Sequence, residues 1–342
     1  MQALYYLGAG GIAWRDIETP TLREPTDAIV RPLAVAACDL DREIVAGRVP
    51  FPAPFVLGHE FVGELLACGE AVRSLAAGDR VLASFQPSCG ACERCCRGDT
   101  AACMRVPRTS MYGIGAAGGD WSGAFADLIR VPWADVNLRR LSAGIDAAAA
   151  ASASDNFADG LRGVDDELAA RPGASVLVAG NGSIPLYAIA AAKHLGANRV
   201  TYASADRRAL AIAERLGADC VEVGAWPHRF DTHDITFDCT RDAEGLAAVV
   251  RSTTPFGLCT CASIFFGASP AMPLFDMYMK GIRFRTGRVN SAASLDRVID
   301  LMADGLDPLA IEPNVYAWDD IERGFRDAAP NAKLVFVRPE PT

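Results

Sequence analysis

The chain has 342 residues, enough for two domains with a core in each. Hydrophobic residues make up 51% and charged residues 22%, which excludes a disordered chain. A net charge of -9 argues against nucleic acid or an anionic membrane surface as the partner. No apolar run reaches the roughly 18 residues that span a bilayer. The opening Met1-Gln2-Ala3-Leu4-Tyr5 lacks the basic-then-apolar order of a secretory leader, so the expected compartment is the cytoplasm.

In chain order, residues 1–6, 14–17 and 28–32 read as antiparallel strands between Gly and Pro breaks. Residues 33–38 form an apolar run that ends in the thiol of Cys38. A short helix opens there, with Asp39 and Asp41 in its first turn, as the helix dipole prefers. A Pro-rich run from Pro50 to Pro54 leads to Leu57-Gly58-His59-Glu60, where an imidazole and a carboxylate stand side by side as a loop enters the strand 61–66. A turn at Ala77-Gly78-Asp79 precedes a strand at 80–85. Many short strands with Gly and Pro turns indicate a small β-barrel-like domain. Residues 113–123 are Gly-rich loop, and 124–131 read as a strand. The alanine-rich stretch 147–153 is helical by propensity and runs into Ser154-Asp155-Asn156-Phe157.

From Pro172 strand and helix alternate. A strand at 175–179 meets Gly180-Asn181-Gly182-Ser183-Ile184-Pro185, and a helix follows to about Leu195. A strand at 199–203 and a helix at 206–216 come next, then strands at 220–223, 235–238 and 258–263. This is the pattern of a parallel sheet covered on both faces. Residues 282–287 read as a last strand of that sheet and 295–302 as an amphipathic helix. The strand 333–337 is expected to rejoin the first domain. The expected division is therefore 1–150 with 286–342 for the catalytic domain, and 151–285 for the nucleotide domain.

Eleven cysteines are present, and Cys89, Cys92, Cys95, Cys96 and Cys103 crowd into one segment. In a reducing compartment that crowding points to metal before disulfides. Cys89, Cys92, Cys95 and Cys103 follow a C-x2-C-x2-C-x7-C spacing, which can wrap one zinc ion tetrahedrally and fix a lobe with almost no core of its own. Cys96 is left over.

Gly180-x-Gly182 lies after an apolar strand and before a helix, as dinucleotide binding requires. Bare backbone there lets the pyrophosphate approach the helix N-terminus, to which Ser183 and Ile184 belong. Pro185 takes the place of the usual third glycine and is tolerated in a first helical turn. An acid at the end of the second strand would select NAD(H) by gripping the ribose 2′-hydroxyl. Ser204 stands there instead, followed by Arg207 and Arg208, which could take a 2′-phosphate. NADP(H) is thus favoured over NAD(H). In the plainer alternative, Asp206 caps the next helix and both arginines are solvated.

His59 alone would read as a core imidazole. Taken with Cys38 and Asp155 it completes a set of N, S and O ligands, with a fourth position open to substrate, as catalytic zinc needs.

The chain resembles the zinc-containing medium-chain alcohol dehydrogenases. The likeness rests on Cys38, Gly58-His59-Glu60 with Gly63, Gly78-Asp79-Arg80-Val81, the four-cysteine lobe, Gly180-x-Gly182 and Ala213-Glu214-Arg215-Leu216-Gly217-Ala218. It implies an α/β protein in which a GroES-like β-barrel catalytic domain encloses a Rossmann domain, with the active site in the cleft between them. It implies Cys38, His59 and Asp155 as ligands of a catalytic zinc, and Glu60 as an outer carboxylate or exchangeable ligand. With the lobe, two zinc ions per chain are expected. Phe85 matches a wall of the substrate pocket. Leu40 stands where the family usually places the Ser or Thr that passes the alcohol proton outward, and Glu43 where a relay histidine is frequent. The proton would then leave through Glu43, Asp39 or water, or the reaction would need less of a relay.

The function expected is hydride transfer between an alcohol/aldehyde or ketone pair and a nicotinamide cofactor, with zinc as Lewis acid. Leu40 motivates an alternative acceptor, an activated C=C or C=N bond. A non-catalytic nucleotide-binding redox sensor is a third reading, against which the full ligand set argues. Parallel-sheet edges and the resemblance both lead to an expected homodimer or homotetramer.

Overall fold

A computed structural model of the chain describes residues 1–8, 11–49, 51–265 and 269–339. The Pro-rich run before His59 starts at Pro50, which lies outside the described residues. The chain divides into two units. One holds Met1–Ala158, Asn290–Leu309 and Pro313–Thr342, the other Asp159–Val289 and Ala310–Glu312.

The first unit is built on a seven-stranded sheet. Its order is Asn314–Ala317, Leu334–Val337, Ala28–Ala37, Glu60–Cys68, Arg80–Ala83 and Leu138–Arg140, with Ile129–Val131 pairing on the early part of Ala28–Ala37. A smaller sheet orders Gly11–Asp16, Gln2–Gly8 and Phe55–Val56. The strand expected to end at Pro32 instead continues to Ala37. Its pairing with Glu60–Cys68 shifts register between Pro32 and Ala34. A bulge is where a strand can hold a proline, because no ladder donor is required there. The apolar run that ends in Cys38 is thus the second half of one central strand.

The expected strand at 124–131 is strand only at Ile129–Val131. Ala124 and Phe125 give their N–H groups to the carbonyls of Gly58 and Leu57, and the Phe125 carbonyl takes the N–H of Leu4. These residues stitch the chain just before His59 to the N-terminal strand and have no donors left for a ladder there. Phe125 is fully buried and rings Phe325, Phe336 and Trp318 at centroid distances of 5.8, 5.5 and 6.2 Å. Burying each such phenylalanine stabilises the unit by about 1.5–3 kcal/mol. That cluster ties the returning strand Leu334–Val337 to the first half of the sequence.

The second unit carries a six-stranded sheet ordered Asp219–Glu222, Val200–Ser204, Val176–Gly180, His233–Cys239, Thr253–Cys261 and Arg283–Thr286, all parallel. Val176, Leu177, Val178 and Ala179 are fully buried, as a strand covered on both faces requires. Helices Ser183–His194, Arg207–Arg215 and Ala243–Arg251 follow the first, second and fourth strands in sequence. The order reverses between Val176–Gly180 and His233–Cys239, and nucleotides bind at such a switch point, outside the carboxyl ends of the strands. Among the described residues no helix is long and apolar enough to cross a membrane.

Candidate active site

Cys38 is the N-cap of helix Asp39–Val45. Its Sγ accepts the N–H of Leu40 at 3.2 Å, and its own N–H goes to Asp41 Oδ2 at 2.9 Å. This capping box folds the thiol over the helix N-terminus and fixes Asp41 beside it. The other Asp41 oxygen lies 3.3 Å from His59 Nδ1, with both side chains buried. The contact is one of charge, without hydrogen-bond alignment. His59 is placed by Gly58, whose φ of +92° turns the chain into strand Glu60–Cys68. A Cβ at Gly58 would stand 2.7 Å from the Phe125 ring, so only glycine fits this approach.

Asp155 arrives from a turn that propensity does not announce. The alanine stretch is α-helical only over Ala147–Ala150, and then widens to a π-helix at Ala153–Phe157. Phe157 N donates to the carbonyl of Ser152, five residues back, at 3.1 Å. Such a bulge inserts one residue and re-aims the side chains after it. Asp155 Oδ2 comes to 3.2 Å from His59 Nε2. Ser291 pins the turn, its hydroxyl donating to the carbonyl of Ser154 at 2.7 Å and accepting the N–H of Phe85 at 3.3 Å.

Cys38, His59, Glu60 and Asp155 each present a ligand atom, all within 4.8 Å of one another. Around a tetrahedral ion with bonds of about 2.0–2.3 Å, ligand atoms stand about 3.3–3.8 Å apart. The separations of His59 Nε2 from Asp155 and Glu60, 3.2 and 3.8 Å, lie close to that spacing. Electrostatics ask for a cation. Burial opposes protonation of His59, yet Asp41, Cys38 and Asp155 around it hold its pKa well above the ordinary 6.5. Burial pushes the Cys38 thiol up to about 12 and the Glu60 carboxyl to about 7. Glu60 Oε2 is buried with no hydrogen-bond partner among the described residues. The residues therefore fit a divalent ion, which would hold Cys38 as thiolate and His59 neutral, with Nε2 on the metal and Nδ1 toward Asp41.

Phe85 is buried with its ring edge-on to His59, the centroids 5.8 Å apart. Leu40 is half-buried on the helix that Cys38 caps. Glu43 lies on the same helix, held by Arg48 in a two-point ion pair at 2.6 and 2.8 Å.

In the lobe, Cys89, Cys92, Cys95 and Cys103 form a second four-ligand group. Backbone N–H groups point at sulfur: Cys89 N at Cys103 Sγ (3.4 Å), Met104 N at Cys92 Sγ (3.4 Å) and Arg105 N at Cys103 Sγ (3.5 Å). The N–H groups of Met104 and Cys95 draw the Cys92 thiol down to about 6. All four cysteines are free, and the buried sulfurs are most of what core this lobe has. Such a set fits a structural zinc. Cys96 is exposed and turns to the carbonyl of Gly90.

In the second unit, Gly180 ends the first strand with φ +123°, and a Cβ there would lie 2.1 Å from the carbonyl of Cys239. Gly182 caps the helix that Ser183 and Ile184 begin, with Pro185 buried in its first turn. Ser204 is buried at the end of the second strand, its hydroxyl 2.6 Å from Asn181 Oδ1. Asp206 caps helix Arg207–Arg215 by accepting the N–H of Arg208 and Ala209. Arg207 Nε pairs with Glu222 at 2.8 Å, and Arg208 donates to the carbonyl of Glu312 at 2.8 Å. A hollow of about 470 Å³ adjoins this edge, lined by Glu222, Gly224, Arg229 and Phe230 among others.

A family model described as the alcohol dehydrogenase GroES-like domain matches residues 24–139. Glutathione-independent formaldehyde dehydrogenase of Pseudomonas aeruginosa is 31% identical over 235 residues, which are 65% of this chain and 58% of that protein. The chain thus spans less than two thirds of that relative. A medium chain reductase/dehydrogenase of an Acremonium species is 32% identical over 226 residues, 64% of this chain and 74% of the relative. The solved structure of alcohol dehydrogenase TADH from Thermus sp. ATN1 superposes with a TM-score of 0.90 at 29% identity, covering 99% of this chain and 100% of that one. The chain belongs to the medium-chain dehydrogenase/reductase family.

Four residues around this candidate site of a medium-chain dehydrogenase/reductase were not assigned to it from the sequence. Asp41 had a local signal, an acid three positions after the helix N-cap. Ser291, Asn156 and Lys333 had none. Lys333 Nζ lies 2.6 Å from Glu60 Oε1 and 2.6 Å from Asn156 Oδ1, although Glu60 is 273 residues away in sequence.

Proposed function

We propose that this protein is a zinc-dependent oxidoreductase that moves hydride between an alcohol/aldehyde or ketone pair and a nicotinamide cofactor. The observation that carries the reading is the convergence of Cys38, His59 and Asp155, with Glu60, in one buried group. Zinc held there would supply Lewis acidity toward a substrate oxygen, and a bound nicotinamide would supply the hydride chemistry. Cys38, His59 and Asp155 hold the ion, Asp41 orients His59, and Phe85 walls the pocket. Relatives named as formaldehyde and alcohol dehydrogenases support a small alcohol or carbonyl as substrate. Leu40 offers no hydroxyl, so the substrate proton leaves by way of Asp39, Glu43 or water. The lobe holds a second, structural zinc.

Gly180, Gly182, Ser183 and Ile184 take the pyrophosphate, with NADP(H) preferred. Ser204 carries no charge to repel a 2′-phosphate, and the Arg207–Glu222 pair is too exposed to compete strongly for the guanidinium. The active protein is a dimer or tetramer.

Nicotinamide absorbance followed against a panel of alcohols and carbonyls, with both cofactors, tests the reading. His59→Ala is expected to abolish turnover and leave cofactor binding intact. Turnover that survives His59→Ala would end the metal role. Leu40 also favours a second reading, reduction of an activated C=C or C=N bond, which inactivity on the whole panel with metal bound would support.

A further inference from the structure

The metal centre contains one ligand group more than it needs. Three protein ligands leave a position open for substrate, and a fourth would close it. The extra group is Glu60, whose Oε1 lies 3.8 Å from His59 Nε2. That oxygen is held at 2.6 Å by the ammonium of Lys333, with both side chains buried. The other Glu60 oxygen has no hydrogen-bond partner among the described residues. The same ammonium donates to Asn156 Oδ1 at 2.6 Å. One cation therefore grips the chain neighbours of two ligands, Glu60 beside His59 and Asn156 beside Asp155. Packing does not call for a lysine here. A buried ammonium loses its hydration, and an apolar side chain of similar length would fill the space at lower cost.

We propose that Lys333 is a positioning residue that holds Glu60 off the metal and so keeps the fourth coordination position open. The inference rests on the reading of Cys38, His59 and Asp155 as metal ligands. Without the ammonium, Glu60 is a buried carboxylate whose nearest cation is the ion itself, and its unpaired oxygen turns to it.

The test uses the full chain with cobalt(II) in the centre, read by its visible absorption and by titration with imidazole, which binds an open position. Wild type and Lys333→Arg are expected to bind imidazole alike. Lys333→Met is expected to show an altered cobalt spectrum before imidazole is added, and to bind imidazole at least about tenfold more weakly. The double variant Lys333→Met/Glu60→Gln is expected to regain the wild-type spectrum and affinity. Should Lys333→Met fail to fold, Lys333→Gln, which keeps a donor for Asn156 without the charge, gives the same comparison. A wild-type spectrum and affinity in Lys333→Met would overturn the proposal. So would a double variant as weak as the single one, since the loss would then be structural. A wild-type protein that takes up no cobalt at this centre would overturn the metal reading, and this inference with it.

Discussion

Asp41 stands 3.3 Å from His59 Nδ1 while its second oxygen holds the N–H of Cys38 at 2.9 Å. One carboxylate thus lies against His59 and holds the backbone of Cys38, the two residues at a strand entrance and a helix N-terminus that the proposed function makes metal ligands. Outer carboxylates of this kind fix the ring and raise the basicity of a ligating histidine. Asp41→Asn is expected to weaken metal binding at this centre by about 10–100-fold with the fold intact. Competition against a chromophoric chelator, with circular dichroism as control, measures it. Unchanged affinity would remove Asp41 from the site.

The lobe makes a separate prediction. Its buried interior is largely sulfur, so the proposed structural ion and the local fold should stand together. Cys92→Ser or Cys103→Ser is expected to lower zinc from two ions per chain to one in native mass spectrometry. The loosened segment should then be cut by trypsin at Arg94, Arg97 or Arg105. Full zinc content and resistance to trypsin would count against a structural ion.

Gly180 tests the nucleotide crevice within its own unit. A Cβ at this position meets the Cys239 carbonyl at 2.1 Å on a backbone of φ +123°. Gly180→Ala is expected to cost about 1–3 kcal/mol of stability and to weaken binding of the nicotinamide cofactor, because strand end and turn must both move. Urea unfolding and fluorescence titration read the two effects. Native stability with native cofactor affinity would show the turn to be tolerant.

Acid stability depends in part on Glu167. Its hydrogen bond to Arg283, at 2.6 Å, holds its carboxyl below the ordinary 4.5, and Arg171 adds to this at 3.1 Å. The unfolded chain takes up this proton at higher pH than the folded one. The contribution is therefore fully present above pH 4.5 and is lost as pH falls through the lower folded value. Arg283 is half-exposed, so solvent screens the pair to about 0.5–1 kcal/mol. Glu167→Gln is expected to flatten the loss of stability below pH 4.5 in urea titrations. An unchanged acid slope would deny the pair any role.

Local features were legible before the structure. The lobe spacing and Gly180-x-Gly182 are short patterns whose chemistry needs only neighbours in sequence, and the strand-helix alternation after Pro172 gave the α/β class. Four features were not legible, for different reasons. Pro32 looked like a strand end, but a bulge removes the need for its missing donor. Ala124 and Phe125 have strand character, but tertiary contacts with Leu57 and Gly58 consumed their donors. The alanine stretch favoured an α-helix, and nothing local signals the π-turn that aims Asp155. Lys333 is the extreme case: a strand-edge lysine by pattern, it is a buried cation only because Glu60 and Asn156 converge from 273 and 177 residues away.

Anomalous X-ray diffraction at the zinc edge, from crystals of the full chain grown with zinc, is the most direct measurement. Two peaks are predicted. One should lie within about 2.0–2.3 Å of Cys38 Sγ, His59 Nε2 and an Asp155 oxygen, and the other among the four sulfurs of the lobe. A filled lobe with no peak between Cys38, His59 and Asp155 would contradict the account.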